Sequence, residues 1–303
     1  MIPRVLYYVF GLTPDFGGKP FGMLHYACIT SALAHIRPER CVVAYAYEPD
    51  TPWWHRLKPR IDAQRIDPPD NVFGNPVAHY AHRADVWRMQ TLLAHGGIYL
   101  DADVLVTRPF DDLLAHETVM GLQRDGYGEG LCNAVILAAP GARFMTRWYE
   151  TYRQFRSTGR DAYWDEHSVR IPRRLAADHA EEVTMLPPAA FFTPGPSDRD
   201  IDRIFASPRP LDVPGAYAHH LWESVAWRPF LQGLTLAEVR RRDTAYHHLI
   251  RPHLADLPED FDTASTEASG EPARRARGKA QPVLRLLDAT LPNMAWRLRQ
   301  KLT

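Results

Sequence analysis

Hydrophobic positions along the first half of the chain follow two patterns in turn, and each predicts one type of secondary structure. Short apolar, β-branched and aromatic runs predict strands over residues 2–10, 41–47, 61–66, 98–100 with a continuation over 104–107, 119–122 and 134–138. Apolar residues three or four positions apart predict helices over residues 23–36, 53–57, 77–95 and 141–157. This alternation indicates an α/β fold, in which a mostly parallel central sheet is flanked by helices.

The pattern weakens in the second half, where prolines interrupt the chain and only short strands are predicted, near 183–186 and 216–221. We expect one domain over residues 1–255. Residues 256–282 contain few core-forming side chains and predict a flexible linker. Residues 283–303 combine basic and apolar side chains at helical spacing, which predicts a basic amphipathic C-terminal helix. Such a helix favours an anionic membrane surface, and the alternative is that it packs against protein.

The composition excludes several classes of protein. Lys and Arg total 36, as do Asp and Glu, so the chain is neutral overall and a nucleic-acid-binding surface is not expected. No apolar run is long enough to predict a membrane-spanning helix. Three sparse cysteines argue against a disulfide framework or a cysteine zinc site. The first residues resemble a strand rather than a signal peptide, so we expect a cytoplasmic protein, peripheral at the inner membrane face if the C-terminal helix binds lipid.

The segment with the strongest chemical content is HGGIYLDAD, at residues 95–103. Its two glycines are expected to end a helix, and a short buried strand then leads to Asp101 and Asp103. In an extended chain, side chains two residues apart point to the same side, so these carboxylates should face one way. Two carboxylates repel unless a cation lies between them, and their oxygens suit Mg²⁺ or Mn²⁺. Such an ion would bind a diphosphate leaving group; the alternative is a solvated surface turn.

A family resemblance follows from this segment and the helix before it. The stretch ADVWR at residues 84–88, together with GGIYLDAD at 96–103, resembles the DXD-containing glycosyltransferases of family 32. That family is similar to the α-1,4-glycosyltransferases and to the catalytic domains of glucosylating bacterial toxins. The resemblance, traced over about residues 2–230, implies a GT-A fold, a nucleotide-sugar donor (a UDP-sugar before a GDP-sugar), Mn²⁺ or Mg²⁺, and retention of anomeric configuration.

The resemblance also implies roles on the donor side. Asp85 and Arg88 lie three residues apart and share a helix face; Asp85 would bond the donor ribose or sugar, and Arg88 would reach the diphosphate or the transferred sugar. The alternative for them is a surface ion pair. Phe10, where the family has a Trp, would stack on the nucleobase, and a core position is an equal alternative. Tyr99 and Asp101 are predicted to bind the donor as well. Arg88 is predicted to take part in catalysis together with Asp101 and Asp103.

A late segment, HHLWESVAW, resembles an H-x-W-x-x-S-W element of the family with one extra residue. A histidine here would complete the metal shell through its neutral imidazole. His220 is preferred over His219 because it precedes Trp222 by two residues, and Trp222 is assigned to the donor. Glu223 and Ser224 are alternative oxygen ligands.

Two further segments supply candidates. Asn133 lies where the family places an amide facing the donor sugar. Asp165 and Glu166 occupy about the place where related retaining enzymes keep an acidic or amide residue beside the anomeric carbon. A catalytic role for either acid stands against the alternative that both are helix-capping residues.

The function that these motifs indicate is transfer of a sugar from a nucleotide diphosphate to a polysaccharide or glycolipid acceptor. A phosphatase of the haloacid-dehalogenase type also places D-x-D after an apolar strand, with the first Asp as nucleophile. That motif is normally followed by Gly-Thr, whereas Val104 and Leu105 follow here. A catalytically silent protein that binds sugar nucleotides is a third alternative.

Overall fold

The structure, a computed structural model, describes residues 1–125 and 128–262. Its strands are β1 (Val5–Val9), β2 (Arg40–Tyr45), β3 (Asp62–Arg65), β4 (Asn71–Val72), β5 (Asn75–Pro76), β6 (Gly97–Leu100), β7 (Val104–Val106), β8 (Thr118–Asp125), β9 (Gly128–Ala138), β10 (Thr184–Leu186) and β11 (Ala218–His220). Its α-helices are α1 (Met23–Ile36), α2 (Pro52–Leu57), α3 (Tyr80–His95), α4 (Arg143–Glu150), α5 (Ile171–Asp178), α6 (Asp198–Phe205), α7 (Glu223–Ala226), α8 (Leu236–Arg241) and α9 (Ala245–Ile250).

Seven strands form the central sheet, in the order β10-β8-β9-β6-β1-β2-β3. The pairs β1–β2, β2–β3, β1–β6 and β8–β10 are parallel, whereas β9 runs antiparallel to both β6 and β8. The predicted mostly parallel sheet is therefore confirmed. All four residues of β6 are buried, as expected for a strand in the middle of a sheet that is covered on both faces.

Alternation along β1 and β6 supplies side chains to two hydrophobic clusters. Leu6 and Ile98 belong to the cluster that contains the buried side chains of α1. Tyr7 and Tyr99 belong to the cluster that contains those of α3. Because successive strand residues point to opposite faces, α1 and α3 cover opposite faces of the sheet. The carboxyl ends of β1 and β6 therefore emerge between these two helices.

Helix α3 begins later than predicted and ends where the sequence indicates. The Nδ1 atom of His79 accepts a hydrogen bond from the Ala81 N–H at 3.1 Å, which caps the helix. At the other end Gly96 adopts φ 63°, and its N–H donates to the Leu92 carbonyl at 2.9 Å. A Cβ atom there would lie 2.6 Å from the Pro140 ring, so the position requires glycine. The next helix, α4, is shorter than predicted.

The prediction that residues 104–107 continue the strand at 98–100 is wrong. The Val104 N–H donates to the Asp101 carbonyl at 3.0 Å, which makes a tight turn after β6. Strand β7 then leaves the central sheet and pairs antiparallel with β11, with Val104 opposite His220. Hydrophobic content alone does not reveal the turn, because β7 is as buried as β6.

The folded domain extends past the predicted boundary at residue 255. Leu257 is buried, and the Phe261 ring packs 4.9 Å from that of Trp53. Asp262 accepts a hydrogen bond from the Leu236 N–H at 2.7 Å. The start of the predicted linker is therefore wrong by at least seven residues, since 256–262 pack on the domain. The rest of that linker and the helix predicted over 283–303 lie outside the described residues.

Among the helices that the structure describes, none is both long enough and apolar enough to span a bilayer.

Candidate active site

The two acids of the D-x-D segment lie in a turn at the carboxyl end of β6. The Asp101 N–H donates to the Ala134 carbonyl at 2.8 Å, and the turn closes at Val104. Neither acid is in a strand, so extended alternation does not bring their side chains together as predicted. The turn does so instead, and ligand oxygens of Asp101 and Asp103 lie within 4.8 Å of each other.

His220 joins the two carboxylates because β11 pairs with β7. Its Nε2 lies 3.2 Å from Asp103 Oδ1, and ligand atoms of Asp101, Asp103 and His220 all lie within 4.8 Å of one another. The other imidazole nitrogen, Nδ1, is buried and has no hydrogen-bond partner among the described residues. His219 is buried elsewhere, with Nδ1 3.1 Å from the Thr193 carbonyl oxygen. Of the two candidate histidines, only His220 faces the D-x-D acids.

Arg88 links α3 to the D-x-D turn. Its guanidinium lies 3.1 Å from Asp101 Oδ1 and 3.2 Å from Asp85 Oδ1, and it donates to the Asn133 carbonyl at 2.8 Å. The Asn133 amide donates to Asp85 at 2.7 Å, and the Tyr99 hydroxyl donates to Asp101 at 2.8 Å. Arg88 is 5% exposed and Asp85 7%, which excludes the surface ion pair considered from the sequence. These five predicted residues form one buried network.

The surroundings of Asp101 and Asp103 shift the pKa values of these two acids in opposite directions. Burial raises the pKa of Asp101, and Arg88 offsets part of that effect. Burial also favours a higher pKa for Asp103, but two neighbours outweigh it. These are His220 and the Glu223 backbone N–H, which donates to Asp103 Oδ2 at 2.8 Å, and they hold the pKa of Asp103 well below its usual range. Burial would lower the pKa of His220, and the Asp103 carboxylate raises it above the usual value. Asp103 is thus the more firmly ionised acid.

A cavity of about 300 Å³ opens beside this group. Its lining comes from the end of β1 and the segment after it, from α1 and α3, from the D-x-D turn, and from residues 160, 164, 220, 223 and 224. Phe10 lies on this lining with its ring stacked 5.9 Å from that of Phe16, so it is available to a ligand and is not purely a core residue. A more open depression of about 1110 Å³, lined by residues between 197 and 212 and by Phe230, shares no lining residue with this cavity.

Asp165 and Glu166 do not line the cavity. The Asp165 carboxylate pairs with Arg170 at 2.8 Å, and that of Glu166 pairs with Arg156 at 2.6 Å. The same part of the chain presents Trp164 to the cavity instead. Sequence reasoning chose the acids because carboxylates carry the expected chemistry, and it passed over the aromatic residue next to them.

The late segment contributes differently from the prediction. Glu223 is not in the group formed by Asp101, Asp103 and His220. Its carboxylate instead lies 3.0 Å from Lys19 Nζ and 3.1 Å from His25 Nε2. Trp222 lies behind His220, with ring centroids 4.0 Å apart and its indole N–H donating to a backbone carbonyl; it does not line the cavity. Ser224 does line it. The sequence offered no signal for Lys19 or His25, which lie more than 190 residues before Glu223.

Comparison with known proteins identifies the family. Residues 26–120 match the family described as glycosyltransferase sugar-binding region containing DXD motif. The chain is 34% identical over 274 residues to glucan organizing enzyme 1 of Cryptococcus neoformans var. grubii, an alignment that covers 87% of this chain and 73% of that protein. The chain belongs to the DXD-containing glycosyltransferases. The predicted family and the predicted enzyme class are therefore confirmed, and a nucleotide-sugar donor and a glycan acceptor follow at that level of detail.

Other relatives of this glycosyltransferase are more distant. It is 31% identical over 78 residues to subversion of eukaryotic traffic protein A of Legionella pneumophila, covering 25% of this chain and 12% of that protein. Among solved structures it is similar to PaToxG glycosyltransferase (TM-score 0.43, 13% identity, 82% of this chain and 86% of the other). It is also similar to apo GlyE of Streptococcus pneumoniae TIGR4 (TM-score 0.38, 12% identity, 63% and 46%). The strand order described above, together with family membership, identifies the fold as GT-A.

Proposed function

We propose that this glycosyltransferase is a retaining, metal-dependent hexosyltransferase that moves a sugar from a UDP-linked donor, in preference to a GDP-linked one, to a polysaccharide or glycolipid acceptor. The observation that carries the proposal is the convergence of Asp101, Asp103 and His220 at the edge of the cavity. Two carboxylates and one imidazole suit Mn²⁺, and Mg²⁺ is the alternative because it prefers oxygen ligands.

The charges around the cavity support a divalent cation. The site holds four acids, and two permanently charged cations pair with three of them: Arg88 with Asp85 and Asp101, and Lys19 with Glu223. The fourth acid, Asp103, pairs with His220. Negative charge therefore remains when the imidazoles are neutral. A divalent ion, when bound, neutralises the departing diphosphate. The protein holds Asp101 through Arg88 and Asp103 through the Glu223 N–H, so both carboxylates are oriented before a donor arrives.

The remaining parts of the proposal rest on resemblance. Retention of configuration, with the acceptor hydroxyl attacking the face that the diphosphate leaves, comes from the family pattern. Stacking of the nucleobase on Phe10 is supported by the position of that ring on the cavity lining. The name of the relative from Cryptococcus, glucan organizing enzyme 1, favours a polysaccharide over a glycolipid acceptor.

A cytoplasmic location, with the C-terminal tail on an anionic membrane surface, is part of the same proposal. Flotation with anionic liposomes tests it. The full chain should bind, and a chain ending at Asp262 should not; equal binding by both would exclude the tail as the anchor.

Two alternatives make different demands on the site. A phosphatase needs Asp101 as a free nucleophile, whereas its Oδ1 is held by Arg88 and Tyr99, and family membership favours sugar transfer. A silent sugar-nucleotide-binding protein would keep the site without turnover.

One screen separates these functions. The full chain is incubated with a panel of UDP- and GDP-sugars, with Mn²⁺, with Mg²⁺ and with chelator, while thermal unfolding and release of the nucleoside diphosphate are measured. We expect one UDP-sugar to raise the melting temperature only with metal, since ligand binding stabilises the native state, and to be slowly hydrolysed. Stabilisation without hydrolysis or transfer would indicate the silent protein, and phosphate release from simple esters would indicate a phosphatase.

A further inference from the structure

An aromatic wall of the cavity is not explained by donor or metal binding. Trp164 and Arg160 lie on the segment before α5, and both line the cavity. The Trp164 ring lies 4.8 Å from the rings of both His79 and His82, and His82 Nε2 is 3.1 Å from the Trp164 carbonyl oxygen. The indole is therefore fixed against the first turn of α3.

The loop that carries this wall is held in shape by Asp161. Its carboxylate accepts hydrogen bonds from the Ser157 hydroxyl at 2.9 Å, from the Thr158 N–H at 2.7 Å and from the Tyr163 N–H at 2.9 Å. A loop constrained in this way loses little conformational freedom when a ligand binds, which favours affinity. The loop that carries Trp164 and Arg160 is therefore preorganised for binding.

Polar groups share the cavity lining with the indole. The Trp164 indole N–H and the Tyr80 hydroxyl have no hydrogen-bond partner among the described residues, and Tyr80 also lines the cavity. The Arg160 guanidinium lies over the Trp164 ring, 5.7 Å from its centroid, and has no ion-pair partner among the described residues. A pyranose ring has an apolar C–H face and a rim of hydroxyl groups, so it fits an aromatic face bordered by hydrogen-bond donors.

The other aromatic part of the lining is different. Phe10 and Phe16 stack on each other and carry no polar group, which suits a flat ring bound through its face alone. The Phe10–Phe16 pair therefore favours the nucleobase of the donor, and Trp164 favours a sugar ring.

Spacing along α3 relates the wall to the reacting centre. Trp164 contacts residues 79 and 82 at the start of α3, whereas Arg88, which is further along the same helix, contacts Asp101. Six to nine helical residues correspond to roughly 9–13 Å at 1.5 Å per residue. This span leaves room for the transferred sugar near the D-x-D turn and for a second ring on the indole.

We infer that Trp164, with Arg160 and the Tyr80 hydroxyl, forms an acceptor subsite that binds a pyranose ring of the glycan that receives the sugar. The inference rests on the proposed function, because it assumes that the D-x-D end of the cavity holds the donor. It makes Trp164 a residue that determines acceptor specificity.

The test compares full-length Trp164→Ala, Trp164→Phe and Arg160→Gln with the wild type. The matched control is Tyr163→Ala, because Tyr163 is the neighbouring aromatic residue, is exposed and does not line the cavity. The probes are linear α- and β-linked gluco-oligosaccharides of several ring lengths. Their dissociation constants are measured by calorimetry with nucleoside diphosphate and Mn²⁺ present, so this measurement does not depend on turnover. The donor KM and the rate of donor hydrolysis are measured without acceptor.

We expect one oligosaccharide class to bind the wild type and to bind Trp164→Ala about tenfold more weakly, with part of the loss recovered in Trp164→Phe. Arg160→Gln should weaken binding about threefold, and Tyr163→Ala should not change it. Donor KM and hydrolysis should stay at wild-type values in all four.

Three outcomes would overturn the inference: a donor KM that rises in Trp164→Ala with unchanged oligosaccharide affinity, oligosaccharide affinity that is the same in all variants, or a wild type that binds none of the probes. If Trp164→Ala fails to fold, as thermal unfolding would reveal, Trp164→Phe and Arg160→Gln still decide. A wild type that binds oligosaccharide through Trp164 but hydrolyses no nucleotide sugar would contradict the proposed function and would still support a sugar-binding role for Trp164.

Discussion

Two of the chain's acidic pairs, Asp101 with Asp103 and Asp165 with Glu166, lie beside a buried histidine, and their surroundings differ. Asp101 pairs with the buried Arg88, which also pairs with Asp85, and Asp103 pairs with His220 at 3.2 Å. Asp165 and Glu166 each have an arginine of their own that is about half exposed, at 2.8 and 2.6 Å, and the Nδ1 atom of His167 lies 3.9 Å from Glu166.

In this protein, the acidic pair that forms a candidate site is the one whose charge is left incompletely balanced at a cavity. In the second pair each carboxylate is matched by its own half-exposed arginine, so no charge remains to attract a cation. In the first pair Arg88 is divided between Asp101 and Asp85, and Asp103 has no arginine or lysine partner among the described residues, so unbalanced negative charge faces the cavity. Four predictions test this difference, in order of decreasing effect.

Replacing the shared arginine should cost the most. In Arg88→Ala, Asp85 and Asp101 would keep buried charges without their cation, and we expect a loss of about 3–5 kcal/mol in the free energy of unfolding. Urea denaturation in chelator measures it. Arg56→Ala, which breaks a salt bridge whose side chains are about half exposed, is the control and should cost about 1 kcal/mol or less. Equal losses of unfolding free energy in the two variants would show that the buried network stabilises the protein no more than a surface salt bridge does.

Removing charge from the first pair should abolish most of the activity. We expect Asp103→Asn to lower turnover of the nucleotide sugar about 10²-fold or more, because it removes a charged contact that acts as the diphosphate departs. The same substitution in the second pair, Asp165→Asn, is the matched control. Steady-state release of nucleoside diphosphate in Mn²⁺ measures both. Full activity of Asp103→Asn in chelator would contradict metal dependence.

The histidine of the second pair should make stability depend on pH. Burial lowers the pKa of His167, so the unfolded chain takes up a proton more readily than the folded one. Stability is therefore present above the ordinary histidine pKa of about 6.5 and declines as the pH falls below it. His167→Gln should reduce the fall in unfolding free energy between about pH 7.5 and 5.5. An identical slope in His167→Gln and the wild type would refute the assignment.

The smallest effect is expected at Glu166. Glu166→Gln breaks its ion pair with the half-exposed Arg156, which should change stability by about 1 kcal/mol or less. Turnover should stay within about twofold of the wild type, because the side chain does not line the cavity. A loss comparable to that of Asp103→Asn would restore the catalytic role that the sequence suggested and would remove the distinction between the two pairs.

The sequence predicted what local patterns encode. Helix α1 and the glycine end of α3 follow from residue spacing and turn chemistry within a few positions. The D-x-D acids were found for the same reason, because strand, turn and carboxylates are contiguous in the chain.

Contacts between distant segments were harder to predict. The turn that sends β7 to β11 depends on a strand pairing that no local period contains. The placement of Trp164 rather than Asp165 or Glu166 on the cavity depends on how its loop packs against α3. The preference for His220 came from a family pattern, and the structure places that residue beside the acids; the spacing of two adjacent histidines could not say which one faces them.

The pairing of β7 with β11 also sets an order of events during synthesis. Val104 and His220 are more than a hundred residues apart in the chain, yet they are opposite each other in this small sheet. A ribosome that adds about 5–20 residues per second needs on the order of ten seconds to progress from one to the other. The D-x-D acids therefore emerge, and their strand can fold, well before the histidine exists. The emerging protein is without its complete site for that interval, and a nascent chain halted before residue 218 has the motif of a glycosyltransferase but lacks the imidazole beside it.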